Sequence, residues 1–291
     1  MKFFLTLDRV KNSTFVVYDT ETNKYTSIPY CEELDCKEVL NQGRDTFRPF
    51  GICKDTTHLY VSSNNKIGKF KLDSFEFDGL VEGMPLWVNT HQILKYKDML
   101  ISANASNDSL TIFYGDHYKF FDFDQEKIVD EVKIPIDCEQ LDFMHINSVS
   151  IIDDYLYVMA HNRARINSII YKIDLNSWKI KDTFTAGICC HNICEHKGNL
   201  YTLSTETNEI FEIQPGIRTI TFQLPQMAFG GGFLRGMQIV GDTMYFISSY
   251  NFKNPGELES AYLYEFNLVT RKVNVKAMGS IQIVNDMLWL E

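Results

Sequence analysis

One register recurs six times along this chain and constrains its fold more than any other feature. Each copy holds an apolar strand, a polar turn and a second strand, as in Phe50-Gly-Ile-Cys with His58-Leu-Tyr-Val-Ser-Ser, or Asn147-Ser-Val-Ser with Tyr155-Leu-Tyr-Val-Met. Aligned on Leu59, Leu100, Leu156, Leu200, Met244 and Leu288, the copies are spaced by 41, 56, 44, 44 and 44 residues. Seven positions earlier stand Ile52, Ile93, Val149, Ile193, Met237 and Ile281, every one apolar. Further segments follow, such as Ser168-Ile-Ile-Tyr-Lys-Ile-Asp174 and Ala261-Tyr-Leu-Tyr-Glu-Phe-Asn267. Their alternation and their β-branched and aromatic content predict strands. A unit this small cannot bury its apolar faces alone, so the copies must stack on one another.

Four strands per 44 residues is the blade of a β-propeller. The expected fold is therefore all-β: a six-bladed β-propeller of four-stranded blades, in one domain over 1–291. The sixth copy stops at Glu291, at the end of its second strand, while Thr14–Asp19 and Lys24–Ile28 supply a third and a fourth. The ring is thus expected to close through one blade built from both termini, which hides the edges an open sheet exposes. Lys2 to Leu7 is a further strand without an assigned partner. The interval of 56 leaves room for an extra hairpin around Asp116–Asp124, and residues 30–47 read as a loop or short helix across one face.

Charge narrows the partners. Twenty-eight Lys and Arg against 38 Asp and Glu leave a formal charge of −10. Nucleic acid and anionic membranes demand a cationic face, so neither is expected. No run approaches the ~18 apolar residues of a spanning helix. The opening apolar run breaks at Asp8 and Arg9, unlike a signal peptide, so a cytoplasmic chain is expected. The seven cysteines then read as reduced thiols. Cys189, Cys190 and Cys194 lack a second pair at zinc-site spacing.

In such a ring the first strand of each blade lines the central channel, and loops on a rigid rim usually carry function. Two positions before the apolar anchor the copies carry Phe50, His91, Asn147, His191, Arg235 and Gly279. Four positions before it stand Arg48, Asn89, His145, Cys189, Phe233 and Ala277. Period-two alternation turns both ranks to one side, near one mouth. The ends of the second strands add Asn64, Asn104, His161, Asn162, Arg163, Glu206 and Tyr250. His91, His145 and His191 therefore open the innermost strands of consecutive blades, with Arg48, Arg163 and Arg235 directed to the same funnel. Imidazole serves as acid, base, nucleophile or metal ligand near neutral pH.

Met144-His-Ile-Asn-Ser-Val-Ser150, followed by Tyr155-Leu-Tyr-Val-Met-Ala-His-Asn-Arg163 and Tyr171-Lys-Ile-Asp174, resembles the signature blade of the bacterial arylsulfate sulfotransferases. Those are six-bladed propellers that pass a sulfuryl group through a channel histidine. The resemblance covers about one blade. It implies His191 as the nucleophile, with His91, His145, Asn147 and Arg163 around the sulfate oxygens; Arg235 and Arg48 come from the ranks above.

The expected activity is thus that of an enzyme acting on a small anionic or carbohydrate-derived ester, with sulfuryl-type transfer as its specific form and no cofactor. Two alternatives stand beside it. One is a metal-dependent hydrolase or lactonase, in which three histidines hold zinc or another transition ion. The other is a non-catalytic propeller that binds protein or sugar through rim aromatics such as Trp87, Trp178 and Tyr250.

Overall fold

The alternation read from the sequence becomes six antiparallel sheets arranged as a ring, five of four strands and one of five. The computed structural model describes residues 1–8, 13–34, 49–63, 66–82, 89–132, 143–224, 233–249, 261–279, 281 and 283–290. Blades 1 to 5 begin, from the channel outwards, with Pro49–Lys54, Thr90–Tyr96, Ile146–Ile152, Cys190–His196 and Phe233–Val240. Each innermost strand packs on the next, and Ile283–Trp289 packs on both Phe233–Val240 and Pro49–Lys54. That contact closes a six-bladed β-propeller.

The closing blade differs from the expected one. Ile283–Trp289 is a single strand and the innermost of blade 6, followed outwards by Lys2–Asp8, Ser13–Asp19 and Lys24–Pro29. Leu288 is therefore not on a second strand; it faces Phe4 of Lys2–Asp8. Ile281 is not the anchor either, because its carbonyl accepts from the Ala261 N–H on blade 5. The residue in the anchor's place is Met287, buried among Phe3, Leu5 and Val284. Ala277 and Gly279 consequently leave the funnel ranks, Ala277 ending the outer strand Val273–Ala277 of blade 5. Asp116–Asp124 is no extra hairpin: His117–Asp122 is the fourth strand of blade 2, and Lys127–Val129 adds a fifth. Of residues 30–47, Glu32–Leu34 forms a 3-10 turn, and 35–47 lie outside the described residues.

Apolar faces are buried between blades. The described residues form six buried clusters, each joining two neighbouring blades round the ring. Phe4, Phe15, Ile52, Val61 and Phe70 join blades 6 and 1, and Ile112, Phe121, Val149 and Val158 join blades 2 and 3. Burying one such side chain stabilises by about 1.5–3 kcal/mol. The fold is thus held by contacts that exist only once neighbours have stacked.

One irregularity repeats in every blade and sets up the site. In all six innermost strands the pairing register slips one or two residues before the anchor. Such a bulge places two residues opposite one and breaks the period-two alternation. Residues one and two places before the anchor both turn into the channel.

Candidate functional site

A small, partly open pocket lies between the innermost strands. Two residues from most blades line it: Phe50; His91 and Gln92; Asn147 and Ser148; His191 and Asn192; Arg235; Asn285 and Asp286. These are the two positions that the bulges turn inwards, once the sixth anchor is moved to Met287.

Six histidine and phenylalanine rings continue the wall as an arc. Phe50 stacks on His91 with centroids 4.6 Å apart, His91 meets His145 edge-on at 4.9 Å, and His145 lies 5.0 Å from His161. His161 then meets His191 at 4.9 Å, and His191 faces Phe233 at 6.1 Å. The Arg235 guanidinium lies 4.4 Å over the Phe233 ring and donates to Asn285 Oδ1 at 3.3 Å. The structure thus brings together His91, His145, His191, Asn147, Arg163 and Arg235 of the sequence-derived set. Arg48 lies outside the described residues.

Local backbone explains how these side chains are aimed. His145 precedes its strand in a left-handed conformation (φ 52°), as do Asn89 and Cys189 at the matching positions. The Asp108 carboxylate of blade 2 accepts the N–H groups of Phe143, Met144 and His145 at 2.8–3.0 Å, pinning that approach. His161 follows the second strand of blade 3 and caps a turn in which Asn162, Arg163 and Ala164 all take positive φ. This folds the exposed Arg163 back so that its Nε donates to His145 Nδ1 at 3.4 Å.

Hydrogen-bond partners assign the ring protons. Thr205 has one hydroxyl hydrogen, which it donates to the Leu234 carbonyl at 2.8 Å. Its contact with His191 Nδ1 at 2.9 Å must then be accepted from the ring, so His191 carries its proton on Nδ1. Nε2 is left as a bare lone pair, buried and without a hydrogen-bond partner. His161 is the reverse: its Nδ1 accepts from the Arg163 N–H at 3.1 Å, so the proton sits on Nε2. His145, accepting at Nδ1 from Arg163, likewise carries its proton on Nε2. The arc therefore combines one imidazole acceptor with two imidazole donors.

Burial, and then the electrostatic influence of the neighbouring His145 and Arg235, hold His91 well below the usual imidazole range. Burial followed by Arg235 does the same to His191. His161 is pushed down to about 2, again chiefly by burial. All three are neutral at pH 7.

At the floor lies Asp286, 3% exposed. It accepts from Ile52 N, Gln92 Nε2, Asn192 Nδ2 and its neighbour Met287 N at 3.0–3.3 Å, and burial raises its carboxyl to about 6. Gln92 and Asn192 also accept from the N–H groups of Val149 and Gly236 at 3.0 Å. The sequence ranks missed Gln92 and Asn192 because a bulge makes the neighbouring position face inwards too, and Asn285 and Asp286 because the sixth anchor is Met287 rather than Ile281. An apolar anchor preceded by two polar residues was the signal available, and it fits Asn285-Asp286-Met287.

No three described His, Cys, Asp or Glu side chains converge as metal donors, so the zinc form of the lactonase alternative lacks a ligand set among them. Of the cysteine trio, Cys190 is buried and Cys194 donates its S–H to the Met237 carbonyl, with burial raising both thiols to about 12. Among the rim aromatics, Trp178 packs into the cluster between blades 2 and 3, while Trp87 and Tyr250 lie outside the described residues. No described helix is long and apolar enough to cross a membrane.

No protein-family model matches the sequence, and no curated protein matches it. Solved structures do. A nidogen/laminin complex superposes with a TM-score of 0.65 at 11% identity, covering 98% of this chain and 97% of that one. A proposed 6-phosphogluconolactonase from Bacteroides fragilis gives 0.55 at 11%, covering 94% and 80%. A catalytically inactive histidine-to-alanine variant of virginiamycin B lyase from Staphylococcus aureus, solved with quinupristin, gives 0.53 at 14%, covering 83% and 87%. Likeness at such identity carries the propeller fold and nothing finer.

Proposed function

We propose that this chain is a propeller hydrolase of the lactonase type, which opens a small anionic ester in the funnel with His191 as its base. The carrying observation is the bare Nε2 of His191, held as an acceptor by Thr205 and Leu234 in a pocket-lining side chain. In this reading Nε2 takes a proton from water as the water oxygen bonds to the acyl carbon. The acyl C–O bond then breaks and the leaving oxygen receives that proton. The Nε2–H groups of His145 and His161 stabilise charge developing on the acyl oxygen. Arg235 depresses His191 electrostatically, so a substrate anion beside Arg235 would relieve that field and make His191 a better base when loaded. Two proteins of similar fold lend support, a proposed 6-phosphogluconolactonase and a lyase whose histidine variant is inactive.

The same lone pair favours a second reading, sulfuryl-type transfer, in which Nε2 attacks sulfur and an acceptor later displaces it. The contact between Arg163 and His145, beside His91, Asn147 and His191, is what supports it. One experiment separates the readings. Wild type and His191→Ala are assayed against aliphatic lactones, aryl esters and aryl sulfates, with acid-quenched protein weighed by mass spectrometry. Lactone or ester turnover lost in the variant, with no covalent adduct, supports hydrolysis; an adduct of one sulfuryl mass on His191 supports transfer. Undiminished turnover in His191→Ala would remove both, and no turnover of any ester would leave a binding propeller.

A further inference from the structure

We propose that the ligand of this funnel is a small hydroxylated carboxylate, with hydroxyl hydrogens directed at His191 Nε2 and Asn147 Oδ1 and its carboxylate near Arg235. The inference deepens the hydrolase reading by naming the class of acid that its substrate would release.

Two unmet acceptors carry it. His191 is 5% exposed and Asn147 3%, and both line the same pocket. Neither can turn a donor inwards without losing a bond. His191 Nδ1–H is committed to Thr205, whose own hydrogen is committed to Leu234. Asn147 Nδ2 donates to the Cys190 carbonyl at 3.0 Å, which fixes the amide with Oδ1 as the remaining acceptor. Both atoms are buried and have no hydrogen-bond partner. A buried acceptor left unmet costs about 1–3 kcal/mol, so two in one cavity select for a ligand that brings donors. Hydroxyl groups do so, whereas an alkyl acid brings none.

The rest of the wall supplies the other half of the class. Arg235 brings a cation to the pocket wall, whereas the Asp286 carboxylate on the same wall is already met by donors from Ile52, Gln92, Asn192 and Met287. The stacked Phe50 and His91 rings offer a flat face to the C–H groups of a carbon chain.

Isothermal titration calorimetry of the full chain with gluconate, hexanoate and sorbitol tests this. Gluconate holds hydroxyls and charge, hexanoate charge alone and sorbitol hydroxyls alone, and none holds an ester. Gluconate is expected to bind at least about tenfold more tightly than either comparator. Thr205→Val frees Nδ1, and the His191 ring can then present a proton at Nε2. It should lose about five- to tenfold for gluconate and nothing for hexanoate. Asn147→Leu should show the same split, with thermal melts confirming that both variants are folded. Hexanoate binding as tightly as gluconate, no gluconate binding, or an unchanged gluconate affinity in folded Thr205→Val would overturn the proposal. The two readings fail separately: gluconate preference without ester turnover sinks the hydrolase alone, and ester turnover without gluconate preference sinks this inference alone.

Discussion

The most informative group in this protein is a single ring nitrogen. His191 Nε2 is defined not by its own residue type but by a chain of two bonds running outwards to Thr205 and Leu234. Its low proton affinity has consequences of definite sign. His91, His161 and His191 all titrate below the ordinary 6.5. The unfolded chain therefore takes up their protons first, and the stability they contribute is full above pH 6.5 and drains away as the pH falls below it. Asp286 has the opposite sign: raised from 3.8 to about 6, its contribution is full below 3.8 and lost as the pH rises through 6. Between roughly pH 4 and 6 the two oppose, and three imidazoles outweigh one carboxyl. The melting temperature is expected to be several degrees lower at pH 5 than at pH 7.5, with a shallower decline in His161→Gln; a curve that rises towards acid would contradict the neutral arc. Activity should hold down to a pH below the usual imidazole range, which a pH profile of kcat/KM on the active ester checks.

At the scale of the strand, the bulge is what makes a structural repeat into a site. Two positions show what it demands of the chain. Gly236 takes φ +65°, a conformation that a side chain resists, and its amide bonds to Asn192 Oδ1. Gly51 lets blades 1 and 2 meet: a Cβ there would lie 2.5 Å from the His91 carbonyl oxygen and 2.7 Å from Gln92 Cα. Both obstacles are backbone and belong to the strand that aims His91. Gly51→Ala is expected to cost about 3 kcal/mol or more, since overpacking against backbone cannot be relieved by a rotamer change. Urea unfolding measures it, and an unshifted midpoint would contradict the close approach. Asn192 meets the same need differently, at φ 57°, where Asn tolerates the left-handed region and its amide ties blade 4 to blades 5 and 6.

Across the whole ring, polar side chains near the axis bond each blade to the next. Ser62 reaches His91 O, Gln92 accepts from Val149 N, and Asn147 donates to Cys190 O. Asn192 accepts from Gly236 N, Arg235 donates to Asn285, and Asn285 donates to Pro49 O, which returns to blade 1. Asp286 sits inside this belt and receives donors from blades 1, 2 and 4. Asp286→Asn would set an amide donor against donors, at a cost of about 1–3 kcal/mol at pH 7.5. The penalty should shrink by pH 5, where the wild-type carboxyl is largely protonated. Paired urea titrations at the two pH values check this, and an equal penalty at both would refute the titration of Asp286 in the folded ring.

The strands, the four-stranded blade and the six-fold ring were legible in the sequence, because alternation and period are local and repeat in each copy; the fifth strand of blade 2 was not. So was the gathering of His91, His145 and His191, which follows from positions two or four places before the anchor in neighbouring copies. Tertiary structure alone decided which terminus supplies the innermost closing strand, since both ends hold plausible strands and pairing between residues 283–289 and 2–8 is as non-local as this chain allows. It also decided the bulges, which brought Gln92, Asn192 and Asp286 inwards against the alternation, and the ring protons, which depend on partners such as Thr205 and Arg163. Periodicity is a property of one strand, whereas register, closure and proton position exist only between strands.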